Sequence, residues 1–145
     1  MTGMRYLGVD AGTARIGIAL SDDTGTIASP YGFVSTRIGI DGVLQEIRTI
    51  CDAHQVGTIV IGMPLSMSGE ARGESARLAR KLGEALEEAL ELEVVYVDER
   101  FTTTQAERAL IGANVRRKKR KQVVDKVAAA LILQSYLDGR SDNEP

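Results

Sequence analysis

Apolar and polar positions change period along the chain, and the changes mark its elements. Arg5 to Asp10 (RYLGVD) is a short apolar run, and Arg15 to Leu20 (RIGIAL) alternates apolar with small residues; both predict strands. Asp22-Asp23-Thr24-Gly25 is a turn signal. Thr26 to Val34 follows as a third extended segment, in which Pro30 and Gly32 predict an edge position or a bulge. The period then becomes helical. Val43, Leu44, Ile47, Ile50, Cys51 and His54 share one stripe, with Asp41 as the expected N-cap. Thr58 to Gly62 (TIVIG) is a continuous apolar run, as expected of a strand buried on both faces, and Glu93 to Asp98 (EVVYVD) reads the same way. Between them Glu70 to Leu90 reads as a long helix. Thr102 and Gln105 have capping-box spacing before a helical Ala106 to Ile111, and Val123 to Leu137 reads as a closing apolar helix.

Three strands joined by short turns, followed by strands alternating with helices, predict an α/β domain. Its sheet would be mixed, with helices on both faces. One domain is expected over 1–138, followed by a polar tail over 139–145. A length of 145 residues accommodates one core.

Composition narrows the chemistry. Cys51 is the single cysteine, so neither an internal disulfide nor a multi-cysteine zinc site can form. With no apolar stretch long enough to span a bilayer and no secretory signal pattern, a cytoplasmic setting away from the membrane is expected. The formal charge of −2 conceals an asymmetry. Arg116, Arg117, Lys118, Lys119, Arg120 and Lys121 are consecutive, and without them 12 basic residues face 20 acidic ones. Polyanion binding is therefore expected to be local, at that run, rather than spread over the whole molecule.

Three acidic positions are unusual. Asp10 ends an apolar strand just before Ala11-Gly12-Thr13, where glycine permits close backbone approach. A turn aspartate bonded to Gly12 and Thr13 is the plainer alternative. Asp98 and Glu99 end another strand, either as a surface pair with arginine or as ligands in the crevice that open α/β sheets form at strand carboxyl ends. Asp125 falls on the stripe of Ala128, Ala129, Ile132 and Tyr136, where an unpaired acid is costly. Acids from separate elements, without a His or Cys partner, suit a hard cation such as Mg²⁺ or Mn²⁺. His54 and Cys51 are expected in the core rather than in catalysis. The basic run directly precedes Asp125, which fits a phosphodiester substrate. The loop Pro64 to Gly69 offers Ser66 and Ser68 as further donors or as a helix cap.

At these residues the chain resembles the YqgF or RuvX-like family of bacterial RNase H-like nucleases. The likeness rests on four segments in order: GVDAGTARIGIA (8–19), GMPLSMSG (62–69), DERFTT (98–103) and VRRKKRKQVVDKVAAALILQSYL (115–137). It implies an RNase H-like fold, a five-stranded mixed sheet whose first three strands are antiparallel. It implies Asp10, Glu99 and Asp125 as catalytic, metal-binding carboxylates, with Asp98 in reserve, and two Mg²⁺ or Mn²⁺ ions. Arg116 to Lys121, with Thr13, Arg15 and Arg100, would contact nucleic acid. The implied activity is either 5′-end processing of pre-16S rRNA or resolution of Holliday junctions in DNA repair, the latter calling for a homodimer. A non-catalytic RNA-binding assembly factor is a third reading, disfavoured because convergent carboxylates repel phosphate. Asp10 to Thr13 also resembles the first phosphate motif of actin- and hexokinase-like ATPases, but those close two such units around a nucleotide.

Overall fold

The computed structural model describes residues 4–63, 73–98 and 128–139. Strands β1 (Arg5–Ala11), β2 (Arg15–Ser21) and β3 (Ala28–Ser35) come first, then a single 3-10 turn, Thr36–Ile38. Helix α1 (Gly39–His54), strand β4 (Val56–Met63), helix α2 (Gly73–Leu90) and strand β5 (Glu93–Asp98) follow. Residues 128–139 are helical.

The five strands form one sheet in the order β3-β2-β1-β4-β5. The β1–β2 and β2–β3 pairs are antiparallel, and β1–β4 and β4–β5 are parallel. This is the RNase H-like α/β arrangement expected from the sequence.

Each face of the sheet has its own core. Leu7, Val9, Ile16, Ile18, Ile59 and Ile61 project toward α1 and α2, where Val43, Ile47, Cys51, Ala79, Leu82 and Leu86 meet them. Ala19 and Val60 project the other way, onto Ala129, Ile132, Leu133 and Leu137 of the closing helix. Strand alternation therefore assigns every β residue to the α1/α2 face or to the closing-helix face.

Gly8 explains how closely that helix lies. A Cβ on Gly8 would stand 2.8 Å from the Ala129 carbonyl oxygen and 2.8 Å from the Leu133 Cβ. The helix thus rests its backbone on β1, which only glycine allows at that point. Its far end is tied down by Gln134, whose Oε1 accepts from the Ala28 N–H at 2.9 Å and whose Nε2 donates to the Thr26 carbonyl at 2.9 Å. The Tyr136 and Tyr6 rings meet at 5.8 Å between centroids. Contacts at Tyr6 come from later helix residues than contacts at Gly8, so the helix runs antiparallel to β1.

Several local expectations are met. The β2–β3 turn is closed by the Asp22 carboxylate, which accepts from the Thr24 hydroxyl at 2.7 Å and from the Thr26 and Ile27 N–H groups at 2.8 and 3.2 Å. Gly25 supplies the positive φ of 69°. Strand β3 is an edge strand, and its register jumps from Gly32 opposite Ile18 to Pro30 opposite Ala19. Tyr31 is the extra residue of this bulge, and its ring stands edge-on against His54 of α1 at 5.4 Å.

Three expectations need correction. Asp41 is not the N-cap of α1: the helix begins at Gly39 behind Ile38, which makes no side-chain cap, and Asp41 lies in the first turn. There it still complements the helix dipole. The side-chain cap sits one element earlier, where the Ser35 hydroxyl accepts from the Arg37 N–H. His54 is only half-buried, because it closes α1 at the sheet's lower end, outside the packed stripe. Strand β5 is not buried like β4: it ends the sheet, and Tyr96 is 43% exposed. Its apolar run reflects residues half-covered on each face rather than a central position. No helix of the described residues is long and apolar enough to cross a membrane. The expected helix over 106–111 lies outside the described residues.

Candidate carboxylate site at the strand ends

Strand β1 presents Asp10 near its carboxyl end. Val9 is fully buried on the α1/α2 face, so alternation turns Asp10 to the closing-helix face. The antiparallel register agrees, since Asp10 pairs with Gly17, which lies between Ile16 and Ile18 of the α1/α2 core. Gly17 offers no side chain to crowd the carboxylate from β2.

Asp98 lies elsewhere. It pairs with Met63 at the end of β4, and Met63 belongs to the α1/α2 core. Val95 and Val97 pack toward the closing helix. Asp98 therefore takes the α1/α2 face, opposite to Asp10. Strand β4 also lies between β1 and β5, so the two strand ends are not immediate neighbours. Among the described residues no three His, Cys, Asp or Glu side chains gather as a metal site. Glu99, Arg100, Arg116 to Lys121 and Asp125 lie outside the described residues, as do Ser66 and Ser68.

The other described candidates sit around Asp10. Thr13 is exposed in the β1–β2 turn, and its carbonyl accepts from the Thr36 hydroxyl at 2.7 Å. The same hydroxyl donates to the Ala14 carbonyl at 2.9 Å, so the turn is pinned to the start of the 3-10 segment. Arg15 pairs with Ser35 on β2, two residues before Gly17, and shares the face of Asp10. Its guanidinium carbon stands 5.2 Å from the centroid of the Phe33 ring, a cation–π contact worth about 0.5–1 kcal/mol at an exposed site.

Phe33 was not among the residues singled out by the sequence. It pairs with Gly17, which pairs with Asp10, so all three lie in one row across β3, β2 and β1 on one face. Its neighbour Val34 is buried on the other face. Only the register of an edge strand with a bulge reveals that row, and no periodic signal in ASPYGFVS carries it.

The remaining groups with chemical potential are accounted for by packing. Cys51 is buried in the α1/α2 core, and burial, with Asp52 adding a smaller push, raises its thiol to about 11. A thiol held protonated in this way is no nucleophile. An apolar cavity of about 160 Å³ opens between Ala11, Ile16, Val43 and Leu82, with Lys81 at its edge. It lies on the α1/α2 side, and among the described residues no carboxylate lines it.

Comparison with known proteins follows the same lines. A 44% identical relative from Clostridium botulinum spans 93% of this chain and 97% of its own length, and is named "Putative pre-16S rRNA nuclease". A relative from Geobacillus carries the same name at 45% identity over 94% of this chain and 99% of its own. Among solved structures, Thermus thermophilus RuvC in complex with a Holliday junction superposes with a TM-score of 0.61 over 97% of both chains, at 13% identity. That likeness establishes a shared fold. The profile of one family, described as RuvX, Holliday junction resolvase, matches residues 4–139. With the sheet order, the strand-end aspartate and near full-length relatives in agreement, this chain belongs to the RuvX family.

Proposed function

We propose that this chain is a divalent-metal-dependent nuclease that cuts phosphodiester bonds of structured RNA, acting in 5′-end processing of pre-16S rRNA. The observation that carries the proposal is the position of Asp10. It stands at the carboxyl end of β1, on the face covered by the closing helix, whose N-terminal direction points toward it.

Two regular patterns extend this arrangement to the other acids. One more residue of strand alternation beyond Val97 and Asp98 would bring position 99 to the face of Asp10, favouring Glu99 over Asp98. One helical turn before Ala129 is about 6 Å. The two residues from Gly8 to Asp10 also span about 6–7 Å of strand. An unbroken helix would therefore carry Asp125 to the level of Asp10.

Asp10, Glu99 and Asp125 would supply an all-oxygen donor set, whose chemistry fits Mg²⁺ or Mn²⁺. When bound, such ions supply an acidified water and stabilise charge in an in-line phosphoryl displacement. The protein's own part would be to present the carboxylates together, with Asp10 held on β1. Arg116 to Lys121, Arg100, Arg15 and Thr13 are proposed to hold the substrate backbone, with Arg15 preoriented by Phe33.

The RNA substrate is favoured by the names of relatives above 40% identity. The Holliday junction reading draws on the family description and requires two sites related by two-fold symmetry. The deciding experiment offers precursor RNA and a four-way DNA junction to one preparation in Mg²⁺ or Mn²⁺, with Asp10→Asn as control. RNA cleavage that vanishes in the variant is expected. Cleavage of neither substrate, or equal cleavage by the variant, would remove the nuclease assignment and favour a binding role.

A further inference from the structure

Strand pairing stops just short of the β1–β2 turn. The last rows join Ala11 to Ile16 between β1 and β2, and Arg15 to Ser35 between β2 and β3. Gly12, Thr13 and Ala14 lie beyond both rows, close after Asp10 in the chain. One residue reaches across to hold them. The Thr36 hydroxyl stands 2.7 Å from the Thr13 carbonyl oxygen and 2.9 Å from that of Ala14, and shares its proton between the two. The Thr36 N–H donates to the same Ala14 carbonyl at 3.2 Å.

We propose that Thr36 is a positioning residue, whose hydroxyl fixes the Thr13–Ala14 turn after Asp10 so that the turn meets the substrate backbone already ordered. The inference rests on the nuclease reading and adds a residue that acts through the turn without touching the substrate. Three observations carry it. The first is that the hydroxyl has no duty in its own segment. The 3-10 turn that Thr36 opens is capped by the Ser35 hydroxyl, which accepts from the Arg37 N–H at 3.2 Å. Thr36 instead directs its hydroxyl to residues 22 and 23 positions earlier.

The second observation is orientation. A trans peptide points its C=O and its N–H in opposite directions. With the Thr13 and Ala14 carbonyls bonded to Thr36, the N–H groups of Ala14 and Arg15 are turned away from Thr36. Without the hydroxyl, the Ala14 carbonyl keeps the Thr36 N–H but the Thr13 carbonyl loses its hold, and the Thr13–Ala14 plane can rotate. The third is the scarcity of other support among the described residues. A Cβ at Gly12 would stand 2.6 Å from the Arg15 carbonyl oxygen, so no side chain can anchor the turn there. Thr13 and Ala14 are exposed. Ala11, Gly12 and Thr36 line the apolar cavity of about 160 Å³, so packing does little to brace the turn on that side.

The test separates positioning from stability and binding from cleavage. Thr36→Val keeps the shape and removes the hydroxyl, and Thr36→Ser keeps the hydroxyl. Thr49→Val is the control, because the Thr49 hydroxyl donates to the Gln45 carbonyl within α1. For each protein, the Ala14 and Arg15 amides are followed by NMR relaxation and hydrogen exchange. Affinity for a precursor RNA fragment carrying the 5′ end of 16S rRNA is measured in EDTA, and KM and kcat in Mg²⁺. In Thr36→Val the Ala14 amide should become mobile, and the RNA Kd and KM should rise together by roughly 2- to 10-fold, the worth of one net hydrogen bond. Its kcat at saturation should hold. Thr36→Ser should match wild type, and Thr49→Val should leave Kd and KM unchanged.

An Ala14 amide as ordered in Thr36→Val as in wild type would overturn the inference. So would a mobile turn with unchanged Kd and KM, a fall in kcat alone, or a failure of serine to rescue. Amide order and affinity in EDTA are read without cleavage. Full cleavage by Asp10→Asn therefore removes the nuclease reading while Thr36 still stands or falls on RNA affinity. Normal cleavage with unchanged affinity in Thr36→Val sinks the Thr36 role alone, and a wild type that binds no RNA sinks both.

Discussion

Gly8→Ala is the sharpest perturbation of the link between fold and site. The added methyl would stand 2.8 Å from a backbone carbonyl oxygen and 2.8 Å from a Cβ, with the Cβ of Ala19 at 3.4 Å. None of these is the flexible end of a side chain, so relief requires the closing helix to move off β1 by several tenths of an ångström. Overpacking of this kind costs about 1–3 kcal/mol. For a chain near 150 residues each kcal/mol lowers Tm by about 2–4 °C, so a fall of roughly 2–12 °C is expected. The proposed site should suffer more than the fold. On the proposed arrangement Asp125 would move with the closing helix while Asp10 stays on β1, and a 1 Å misplacement at a reacting centre can cost about 100-fold in rate. Urea denaturation and single-turnover cleavage, measured below the shifted Tm, read the two effects separately. A variant as stable as wild type would refute the close approach of helix and strand. A destabilised variant with full activity would refute the role given to the helix.

Other consequences are open to measurement. The Asp22 carboxyl lies below the usual carboxylate range because the Thr24 hydroxyl and then the Thr26 and Ile27 N–H groups bond its charged form. Its folded value is depressed, so the β2–β3 turn holds above the ordinary value of 3.8 and loosens as pH falls through the folded value. Faster Thr26 and Ile27 amide exchange below that range, absent in Asp22→Asn, checks this. The Cys51 thiol is raised from 9.0 to about 11, so the unfolded chain ionises first and stability falls from about pH 9 to about pH 11. Cys51→Ala should flatten that part of the pH profile, and native Cys51 should resist iodoacetamide at pH 8. Neutralising Arg116 to Lys121 should reduce the log–log salt slope of RNA binding by up to about 4 to 5, at about 0.7–0.9 for each phosphate no longer neutralised. An unchanged slope removes the run from the interface.

The sequence foretold elements better than faces. Strand ends, the Asp22 turn and the β3 irregularity all rest on local chemistry, and each could be read from residues a few positions apart. The run Val94 to Val97 is apolar throughout and has no parity, so it left Asp98 and Glu99 equivalent. Parity came from long-range pairing: Met63 opposite Asp98, and Val60 and Val95 sharing a register. Phe33 was invisible for the same reason. Its neighbours in ASPYGFVS show no alternation, because Pro30 and the bulged Tyr31 break it. Asp41 misled because capping preference is a weak prior, and here the 3-10 turn before α1 occupies the place where a cap would stand.

Among the described residues the two faces of the sheet are packed by different elements. On one face α1 and α2 together bury Val9, Ile16, Ile61 and Met63, up to the upper ends of β1 and β4. A carboxylate directed there competes with a packed apolar core, and Asp98 avoids it only by lying exposed on the last strand. On the other face, within the described residues, the closing helix lies over Gly8 and Ala19 and slants toward Tyr6. Asp10 and Phe33 lie beyond that contact, toward the carboxyl end of β1.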